Sequence, residues 1–336
     1  MKKIYNPGEN IVLQQLEGFV DAYSSLYAPL RDGRTSVVLK NHRSGDKVRL
    51  IVGGGSGHEP LFPGLVGYGL ADAAVCGNVF AAPNPQLIYD TVMDLPGSAG
   101  VLFVYGNYAG DNLNFDVAEE MLEDAGVACA HVRVWDDCAS APRDGIQDRR
   151  GIAGDVFVIK IAGAACDAGL PMEEVLRITE KARDRTASIG LATSPGSIPG
   201  LDRPTFELGE TEIEYGMGLH GEPGIERTVM QSADALTERL YRELKAEVRP
   251  LPGERFSVLV NGLGSTTLLE LNIVYRKFAQ LVRGDGLTIH DGCIDRICTC
   301  QEMGGFSVSL LRLDDELLKY YDAPCYSPYY AKEDRR

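Results

Sequence analysis

The sequence predicts an α/β protein with two domains, each built on a mixed, largely parallel sheet flanked by helices. Short apolar runs alternate with helical patterns through the first half, and this order of strand, loop, helix and strand is typical of parallel sheets. The length of 336 residues also exceeds what a single hydrophobic core usually supports. We therefore expect an N-terminal domain over 1–186 and a C-terminal domain over 187–336.

Apolar runs followed by glycine or proline predict the elements of the first half. Runs of this kind indicate buried strands that end in loops. The predicted strands cover 48–52, 73–76, 100–105 and 128–134. The predicted helices cover 85–93, a segment through 117–122, 151–169 and 172–185.

The second half repeats this alternation after a stretch rich in proline and glycine. Its apolar spacing predicts both strands and amphipathic helices. The predicted strands cover 212–218, 256–260 and 306–311, and the predicted helices cover 226–248 and 268–281. The charged end, 331–336, is expected to fray.

The charge of the chain argues against two classes of partner. The formal net charge is −15, and no basic face is visible that could neutralise nucleic-acid phosphates. The same acidity disfavours docking on an anionic membrane, and no apolar run is long enough to span a bilayer. The opening residues lack the apolar segment of a signal peptide, so we predict a cytoplasmic protein without nucleic-acid or membrane partners.

Eight cysteines without a secretory signal are expected to be reduced thiols. The densest group, with zinc binding as one hypothesis, consists of His290, Cys293, Cys298 and Cys300. It lacks the Cys-x2-Cys spacing that zinc sites commonly use, and the segment is typical of a hairpin that leads into a strand. We therefore predict buried or half-buried thiols and no metal ion.

Two histidines carry the strongest functional signal, because each lies beside glycine and shortly before a Glu-Pro pair. His58 directly follows the glycine-rich run 53–57, and His220 lies within Leu-His-Gly-Glu-Pro-Gly-Ile at 219–225. Glycine lets the backbone turn tightly or approach a ligand, and proline fixes the chain after each glutamate. Imidazole suits nucleophilic and acid–base chemistry near neutral pH. We favour a catalytic role for both histidines over two unrelated structural turns.

Three glycine-rich loops between strands and helices suggest a nucleotide site as a further hypothesis. None contains the lysine that a Walker A sequence places after glycine, and the loop at 53–57 is followed at once by His-Glu-Pro. The loop 261–267 is the better anion-site candidate, because it opens a helix. An N-cap by Ser265 or Thr266 is the simpler interpretation of that loop. The residues of this chain therefore predict no nucleotide site.

The loop 106–112 follows a predicted strand, as the loop 53–60 does. Loops at the carboxyl ends of parallel strands meet at one edge of the sheet and often form sites. We therefore expect both loops to face one pocket. Asp111 in the second loop can act on a substrate or cap the helix that follows, and the pattern leaves both roles open.

These motifs resemble the dihydroxyacetone kinase family, and within it the dihydroxyacetone-binding subunit. The resemblance is collinear and covers nearly the whole chain. The segments that carry it are 53–60, 77–83, 107–115, 150–169, 216–224, 260–270 and 298–324.

The resemblance implies a role for each candidate side chain. It implies that His220 attacks the ketone carbonyl and holds the substrate covalently as a hemiaminal. It implies that His58 hydrogen-bonds the substrate and accepts a proton, and that Asp111 accepts the proton of the attacking hydroxyl or orients it. The backbone expected to line the same pocket is that of Gly55, Ser56 and Gly57.

One position departs from the pattern of the family. Members usually carry a lysine that contacts the ketose five residues before the aspartate, and Gly106 stands there in this chain. Loss of a cationic donor removes a charge-assisted hydrogen bond and leaves space. A larger ketose such as erythrulose is one consequence, and a paralogue that binds ketose but phosphorylates it poorly is another.

The resemblance also implies partners. Family members place the nucleotide, ATP or ADP with Mg²⁺, on a separate all-α domain or subunit, so no cofactor is expected on this chain. The partner would be a nucleotide-binding kinase subunit, with ATP or a phosphoenolpyruvate-dependent phosphotransferase protein as phosphoryl donor. A homodimer is expected. The alternative function is a regulatory or coactivator paralogue that senses ketose.

Overall fold

The computed structural model describes residues 2–6, 10–41, 47–97, 99–201 and 203–333, and two large β-sheets organise them. The first sheet has the order β1-β3-β2-β4-β5 and is parallel except at its edge, where β1 runs antiparallel to β3. Its strands are β1 (Ser36–Val38), β2 (Arg49–Ser56), β3 (Ala73–Val79), β4 (Val101–Gly106) and β5 (Cys129–Val134).

Helices cover both faces of the first sheet, as its almost continuously buried central strands require. The helices are α1 (Ile11–Ala22), α2 (Pro85–Met93), α3 (Ala109–Asp124), α4 (Asp155–Asp167) and α5 (Met172–Asp184). α2 and α3 close one apolar core with the sheet, and α1, α4 and α5 belong to the core on the opposite face.

The second sheet has the order β10-β9-β11-β6-β7-β8. Its strands are β6 (Thr186–Ser194), β7 (Glu212–Tyr215), β8 (Glu226–Val229), β9 (Arg255–Gly262), β10 (Thr288–Asp295) and β11 (Gly304–Leu313). Two amphipathic helices, α6 (Ala233–Val248) and α7 (Leu268–Gly284), pack against one another and contribute to the core on one face of this sheet.

The C-terminal segment returns to the first half of the chain. After α8 (Asp315–Tyr321), two short strands, β12 (Cys325–Tyr326) and β13 (Ala331–Lys332), pair with each other. The backbone amides of Tyr68 and Tyr326 each donate to the other residue's carbonyl, at 3.1 and 2.8 Å. The prediction of a frayed end is therefore wrong for Ala331–Lys332, and it falls outside the described residues for 334–336.

The predicted α/β fold with mixed sheets flanked by helices is confirmed, but the second sheet is mainly antiparallel. Only β9 and β10 run parallel there, because the connections between its other neighbours reverse the chain. The predicted hairpin is wrong as well, because β10 and β11 lie on opposite sides of β9.

Two predicted helices begin later than expected. The prediction for 226–248 merged two elements: β8 pairs with β7, and Ser232 then caps α6 by accepting a hydrogen bond from the amide of Ala235. The helix predicted over 151–169 begins at Asp155. In both cases the apolar spacing typical of a helix begins before the helix does, because the backbone of the preceding residues forms hydrogen bonds outside the helix.

One apolar core contains residues from both sheets, including Val52 and Val104 from the first and Leu259 and Leu311 from the second. The strands of the first sheet all precede residue 186 and those of the second begin there. The division into domains 1–186 and 187–336 stays a prediction. Within the described part of the chain, no helix combines the length and apolar character that crossing a bilayer requires.

Candidate active site

A small pocket lies where the carboxyl ends of β2 and β4 meet the segment that follows β7. The two loops expected to face one pocket both contribute to it, and residues after β7 close it from the second sheet. Its lining is Gly53, Gly54, Gly55, His58, Leu61, Phe62, Gly106, Tyr108, Asp111, Gly151, Asp155, Leu219 and His220.

The glycines after β2 allow the chain segment at Phe80 to approach closely. A Cβ at Gly55 would lie 2.8 Å from the Ala81 nitrogen, and one at Gly57 would lie 2.7 Å from the Phe80 ring. Gly57 also has a φ of +99°, which side chains rarely adopt. This close approach stacks the Phe80 ring on His58, with centroids 5.1 Å apart.

Segment 299–301 of the second half clamps the loop that carries His58. The backbone amides of Thr299 and Gln301 donate to the carbonyls of His58 and Gly57, at 3.1 and 2.8 Å. The His58 side chain is held at the same place, because its Nδ1 lies 2.7 Å from the Thr299 carbonyl oxygen. The imidazole is thus fixed in orientation with Nε2 facing the pocket.

A line of hydrogen bonds joins the two predicted histidines and ends on a carboxylate. His58 Nε2 lies 3.0 Å from His220 Nε2, and His220 Nδ1 lies 3.0 Å from Glu222 Oε1. The second carboxylate oxygen of Glu222 accepts from the His220 backbone amide at 2.9 Å. Glycine at position 218 leaves room for this arrangement of Glu222, since a Cβ there would lie 2.3 Å from Glu222 Oε2.

This line determines where protons lie on the two rings. Thr299 offers only a carbonyl and Glu222 a carboxylate, so both Nδ1 atoms donate, and one further proton bridges the Nε2 atoms. The pair of rings therefore carries one positive charge beside Glu222. Burial, followed by the charge of His220, lowers the pKa of His58 to about 3.

The electrostatic partner of this charge is Glu222. Burial alone would raise the pKa of Glu222, but the hydrogen bond and charge of His220 outweigh burial and lower it to about 2. Arg150 lies behind it and forms an ion pair with Asp137, with Nη2 and Oδ2 2.8 Å apart. Glu222 is thus a fixed anion beside Nδ1 of His220, the ring nitrogen that faces away from His58.

Asp111 lies in the first turn of α3 and not at its N-cap. The N-cap is Tyr108, so the capping interpretation of Asp111 is wrong. Its Oδ1 is buried without a hydrogen-bond partner among the described residues. Burial raises the pKa of Asp111 to about 7, opposed by the charge of His220. A carboxyl poised near neutral pH suits proton transfer.

The predicted site residues take different positions. His58, Asp111, His220 and Gly55 line the pocket, whereas the side chain of Ser56 points elsewhere and donates to the Gly77 carbonyl at 2.7 Å. Gly57 shapes the turn and is not among the lining residues. Gly106, at the end of β4, does line the pocket.

Other groups lie at the site that were not predicted from the sequence. These are the ring of Phe80, the ring and hydroxyl of Tyr108, and the carboxyls of Glu222 and Asp155. Glu222 belongs to a quoted motif, and its position two residues after His220 could have suggested a carboxylate–imidazole pair. Nothing local singles out Phe80 or Asp155.

The remaining site hypotheses have simple structural outcomes. Thr267 caps α7 in a capping box with Glu270, so the cap at loop 261–267 lies one or two residues later than predicted. Cys298 and Cys300 are buried, and the His290 ring hydrogen-bonds Asp322 at 2.8 Å.

Across the described ranges, one group has metal-ligand atoms close together, formed by Asp116, Glu119 and His131. Asp116 there already accepts two hydrogen bonds from Arg133, at 2.6 and 2.8 Å.

Comparison with known families identifies the class of this protein. A family model described as the Dak1 domain matches residues 17–329, so the chain belongs to the Dak1 domain family. The chain is 40% identical over 330 residues to the dihydroxyacetone-binding subunit of a PTS-dependent dihydroxyacetone kinase 2 from Listeria innocua, covering 98% of this chain and 99% of the relative.

A second relative acts on a larger ketose according to its name. The chain is 40% identical over 337 residues to an L-erythrulose kinase of Pectobacterium atrosepticum. The match covers 99% of this chain and 56% of the relative, so this chain spans just over half of that enzyme.

Solved structures share the fold along almost the whole chain. A dihydroxyacetone kinase operon co-activator matches with a TM-score of 0.88 and 27% identity, covering 95% of this chain and 98% of the other. The dihydroxyacetone kinase of C. freundii in complex with AMP-PNP and Mg²⁺ matches with a TM-score of 0.87 and 29% identity. That match covers 98% of this chain and 61% of the larger kinase.

Proposed function

We propose that this chain is the ketose-binding subunit of a dihydroxyacetone-type kinase. The observation that carries the proposal is the contact between His58 Nε2 and His220 Nε2, at 3.0 Å inside a pocket with unpartnered polar atoms. A hydrogen-bonded imidazole pair backed by a carboxylate is suited to attack on a carbonyl carbon. The names of the relatives supply the substrate class, a short ketose.

Capture of the ketone uses the proton that bridges the two rings. His58 Nε2 takes this proton and passes it to the ketone oxygen, while the freed lone pair of His220 Nε2 attacks the carbonyl carbon. A carbon–nitrogen bond forms, and the π pair of the carbonyl moves to oxygen and becomes a hydroxyl. The resulting hemiaminal leaves the positive charge on the His220 ring, where Glu222 lies 3.0 Å from Nδ1.

Covalent capture also selects the substrate. A polyol such as glycerol has no carbonyl and cannot form the adduct. A short ketose held at its carbonyl carbon presents its hydroxyl groups to the pocket walls in a fixed orientation. Fixed orientation supplies a large part of the rate in phosphoryl transfer.

Asp111 is proposed to act on the hydroxyl that receives the phosphoryl group. Its unpartnered Oδ1 and its pKa of about 7 favour acceptance of a hydroxyl proton or orientation of that hydroxyl. Removal of the carboxyl should therefore spare capture and abolish transfer.

The phosphoryl donor is proposed to come from a separate nucleotide-binding subunit that carries ATP or ADP with Mg²⁺. Support comes from the C. freundii kinase, whose chain is longer than this one and whose complex contains AMP-PNP and Mg²⁺. The Listeria relative is named as PTS-dependent, which favours a phosphotransferase protein as the ultimate donor. We also propose that the protein is cytoplasmic and forms a homodimer. Light scattering tests the homodimer by measuring the molar mass in solution.

A ketose-sensing co-activator is the second candidate function. The similarity to an operon co-activator over 95% of this chain favours it. The two candidates share ketose capture and differ in transfer, because a sensor needs no group that activates a hydroxyl.

The test combines intact mass and turnover. Native protein incubated with dihydroxyacetone should gain one ketose mass, and His220→Ala should not. With a nucleotide-binding subunit that supports turnover, Asp111→Ala should keep the mass gain and lose phosphorylated product. A native protein that gains no mass from dihydroxyacetone or erythrulose would refute capture. Capture without product from any nucleotide-binding subunit would support the sensor instead.

A further inference from the structure

The pocket contains more unpartnered polar atoms than the proposed mechanism uses. The Tyr108 hydroxyl, Asp111 Oδ1 and Asp155 Oδ1 are all buried and lack hydrogen-bond partners in the described part of the chain. Buried polar groups in folded proteins normally have partners, so orphaned atoms in a pocket indicate a ligand that supplies them. Asp155 takes no part in the proposed ketone capture or in the proposed phosphoryl transfer.

Asp155 is buried although, among the described residues, its Oδ1 has no hydrogen-bond partner. It is the first residue of α4, where its own amide donates to the Ile152 carbonyl and the N-cap amide of Gly154 donates to Asp136 at 2.8 Å, so its carboxyl does not cap the helix. Asp155 is 2% exposed, and its Oδ1 has no hydrogen-bond partner among the described residues. A buried carboxyl without such partners is destabilising.

Gly106 leaves room for a small group in front of this carboxyl. A Cβ at Gly106 would lie 3.5 Å from Asp155 Oδ2 and 3.3 Å from the Tyr108 ring, so a single carbon atom would already be in contact with both side chains. Below it, a Cβ at Gly151 would lie 2.5 Å from the Gly106 Cα, so the two glycine backbones form a tightly packed floor. Of the three atoms nearest to the Gly106 Cβ position, the polar one is Asp155 Oδ2.

The surroundings of Asp155 define the chemistry of its ligand. Burial, followed by the charges of Asp136 and Asp111, raises its pKa well above the ordinary value. A neutral carboxyl both donates and accepts a hydrogen bond, as a hydroxyl group does. An uncharged hydroxyl of the substrate therefore matches this wall better than a phosphate or an ammonium group.

We propose that Asp155 hydrogen-bonds a ketose hydroxyl in the space over Gly106 and thereby selects a four-carbon ketose over dihydroxyacetone. The inference rests on the proposed function, because it assumes that His220 holds the carbonyl carbon. Asp111 takes the hydroxyl that becomes phosphorylated. Erythrulose has hydroxyls on carbons 1, 3 and 4, so it offers one more group than dihydroxyacetone to the wall over Gly106.

The test is a comparison of ketose binding between Asp155 variants. Dissociation constants for dihydroxyacetone, L-erythrulose and D-erythrulose are measured by titration and intact mass with native protein, Asp155→Ala and Asp155→Asn. We expect native protein to bind one erythrulose enantiomer about tenfold more tightly than dihydroxyacetone. Asp155→Ala should lose about tenfold for that enantiomer and less than about threefold for dihydroxyacetone, whereas Asp155→Asn should retain the preference.

Control measurements separate this role from a structural one. Thermal unfolding of Asp155→Ala should occur at an equal or higher temperature than that of native protein, because an unpartnered buried polar group is removed. The exposed Asp144→Ala variant serves as the matched control and should bind every ketose as native protein does. Equal losses for both ketoses, or no loss for erythrulose, would overturn the assignment of Asp155.

The outcomes also distinguish this inference from the proposed function. One outcome is that the dihydroxyacetone adduct depends on His220 but the erythrulose affinity is unchanged in the Asp155 variants. This outcome refutes the inference about Asp155 and still supports the proposed function. Absence of any His220-dependent adduct refutes both.

Discussion

The Nε2 atoms of His58 and His220 lie 3.0 Å apart, although 162 residues separate them in the chain. Each ring has its outer nitrogen held by an acceptor, the Thr299 carbonyl on one side and the Glu222 carboxylate on the other. The contact joins the first sheet to the segment after β7. In the proposed capture, the proton between the two Nε2 atoms is the one that the ketone oxygen receives.

The first prediction concerns the charge of Glu222. Glu222→Gln keeps the size of the side chain and a hydrogen-bond acceptor but removes the negative charge. Because the proposed adduct would place positive charge on His220, we expect the equilibrium constant for its formation to fall about tenfold or more. Titration followed by intact mass measures it, with the exposed Glu210→Gln as matched control. An unchanged constant would show that the charge of Glu222 does not stabilise the adduct.

The second prediction concerns the pH dependence of phosphorylation. Asp111 has a pKa of about 7 in the free protein, and a proton acceptor must be ionised. We expect kcat/KM to fall about tenfold for each pH unit below about 7. Asp111→Asn should lose most activity at every pH. Its residual kcat/KM should no longer fall below about pH 7, so the acidic limb of the pH profile should disappear. An acidic limb that persists unchanged in the variant would assign it to another group.

The third prediction concerns stability at the same residue. Since the pKa of Asp111 is raised on folding from 3.8 to about 7, the folded state binds the proton more tightly and stability falls as pH rises through this window. The loss amounts to about 4 kcal/mol above pH 7, at 1.36 kcal/mol per pKa unit. Denaturant unfolding of native protein and Asp111→Asn at pH 4.5 and 7.5 should therefore converge at the lower pH. A constant difference would contradict the raised pKa.

The fourth prediction compares two glycines. Gly55→Ala should destabilise the protein by about 1–3 kcal/mol, because its Cβ would lie 2.8 Å from the Ala81 nitrogen, a backbone atom that cannot move freely. Gly18→Ala lies in α1 with nothing within 4 Å of the new Cβ and should stabilise by about 0.5–1 kcal/mol. Denaturant midpoints measure both. Equal effects would mean that the loop can shift away from the added methyl group.

The fifth prediction concerns the aromatic cover. The Phe80 ring stacks on His58 and meets the His220 ring edge-on, with centroids 5.1 and 5.3 Å apart. Phe80→Ala should admit water to both rings and accelerate release of the captured ketose by about tenfold. The rate of mass loss after dilution measures it. If the variant released the ketose at the same rate as native protein, Phe80 would have only a packing role.

The strands that deliver the site could be predicted, but the orientation of the second sheet could not. Buried apolar runs identify β2 and β4, and glycine after each marks the loop. The same pattern says nothing about strand direction, which depends on the connections made after folding. It also merged β8 with α6, because the apolar spacing runs on while the backbone of β8 bonds to β7.

The sequence by itself determined the family, the two histidines and the local turns that hold them. Short motifs encode these features because glycine and proline restrict or release the backbone within a few residues. Only the tertiary structure decided that His58 faces His220, that Glu222 takes the outer nitrogen, and that Asp155 lies unpartnered beside Gly106. Contacts, burial and protonation depend on groups that packing brings together from distant parts of the chain, and no local pattern records them.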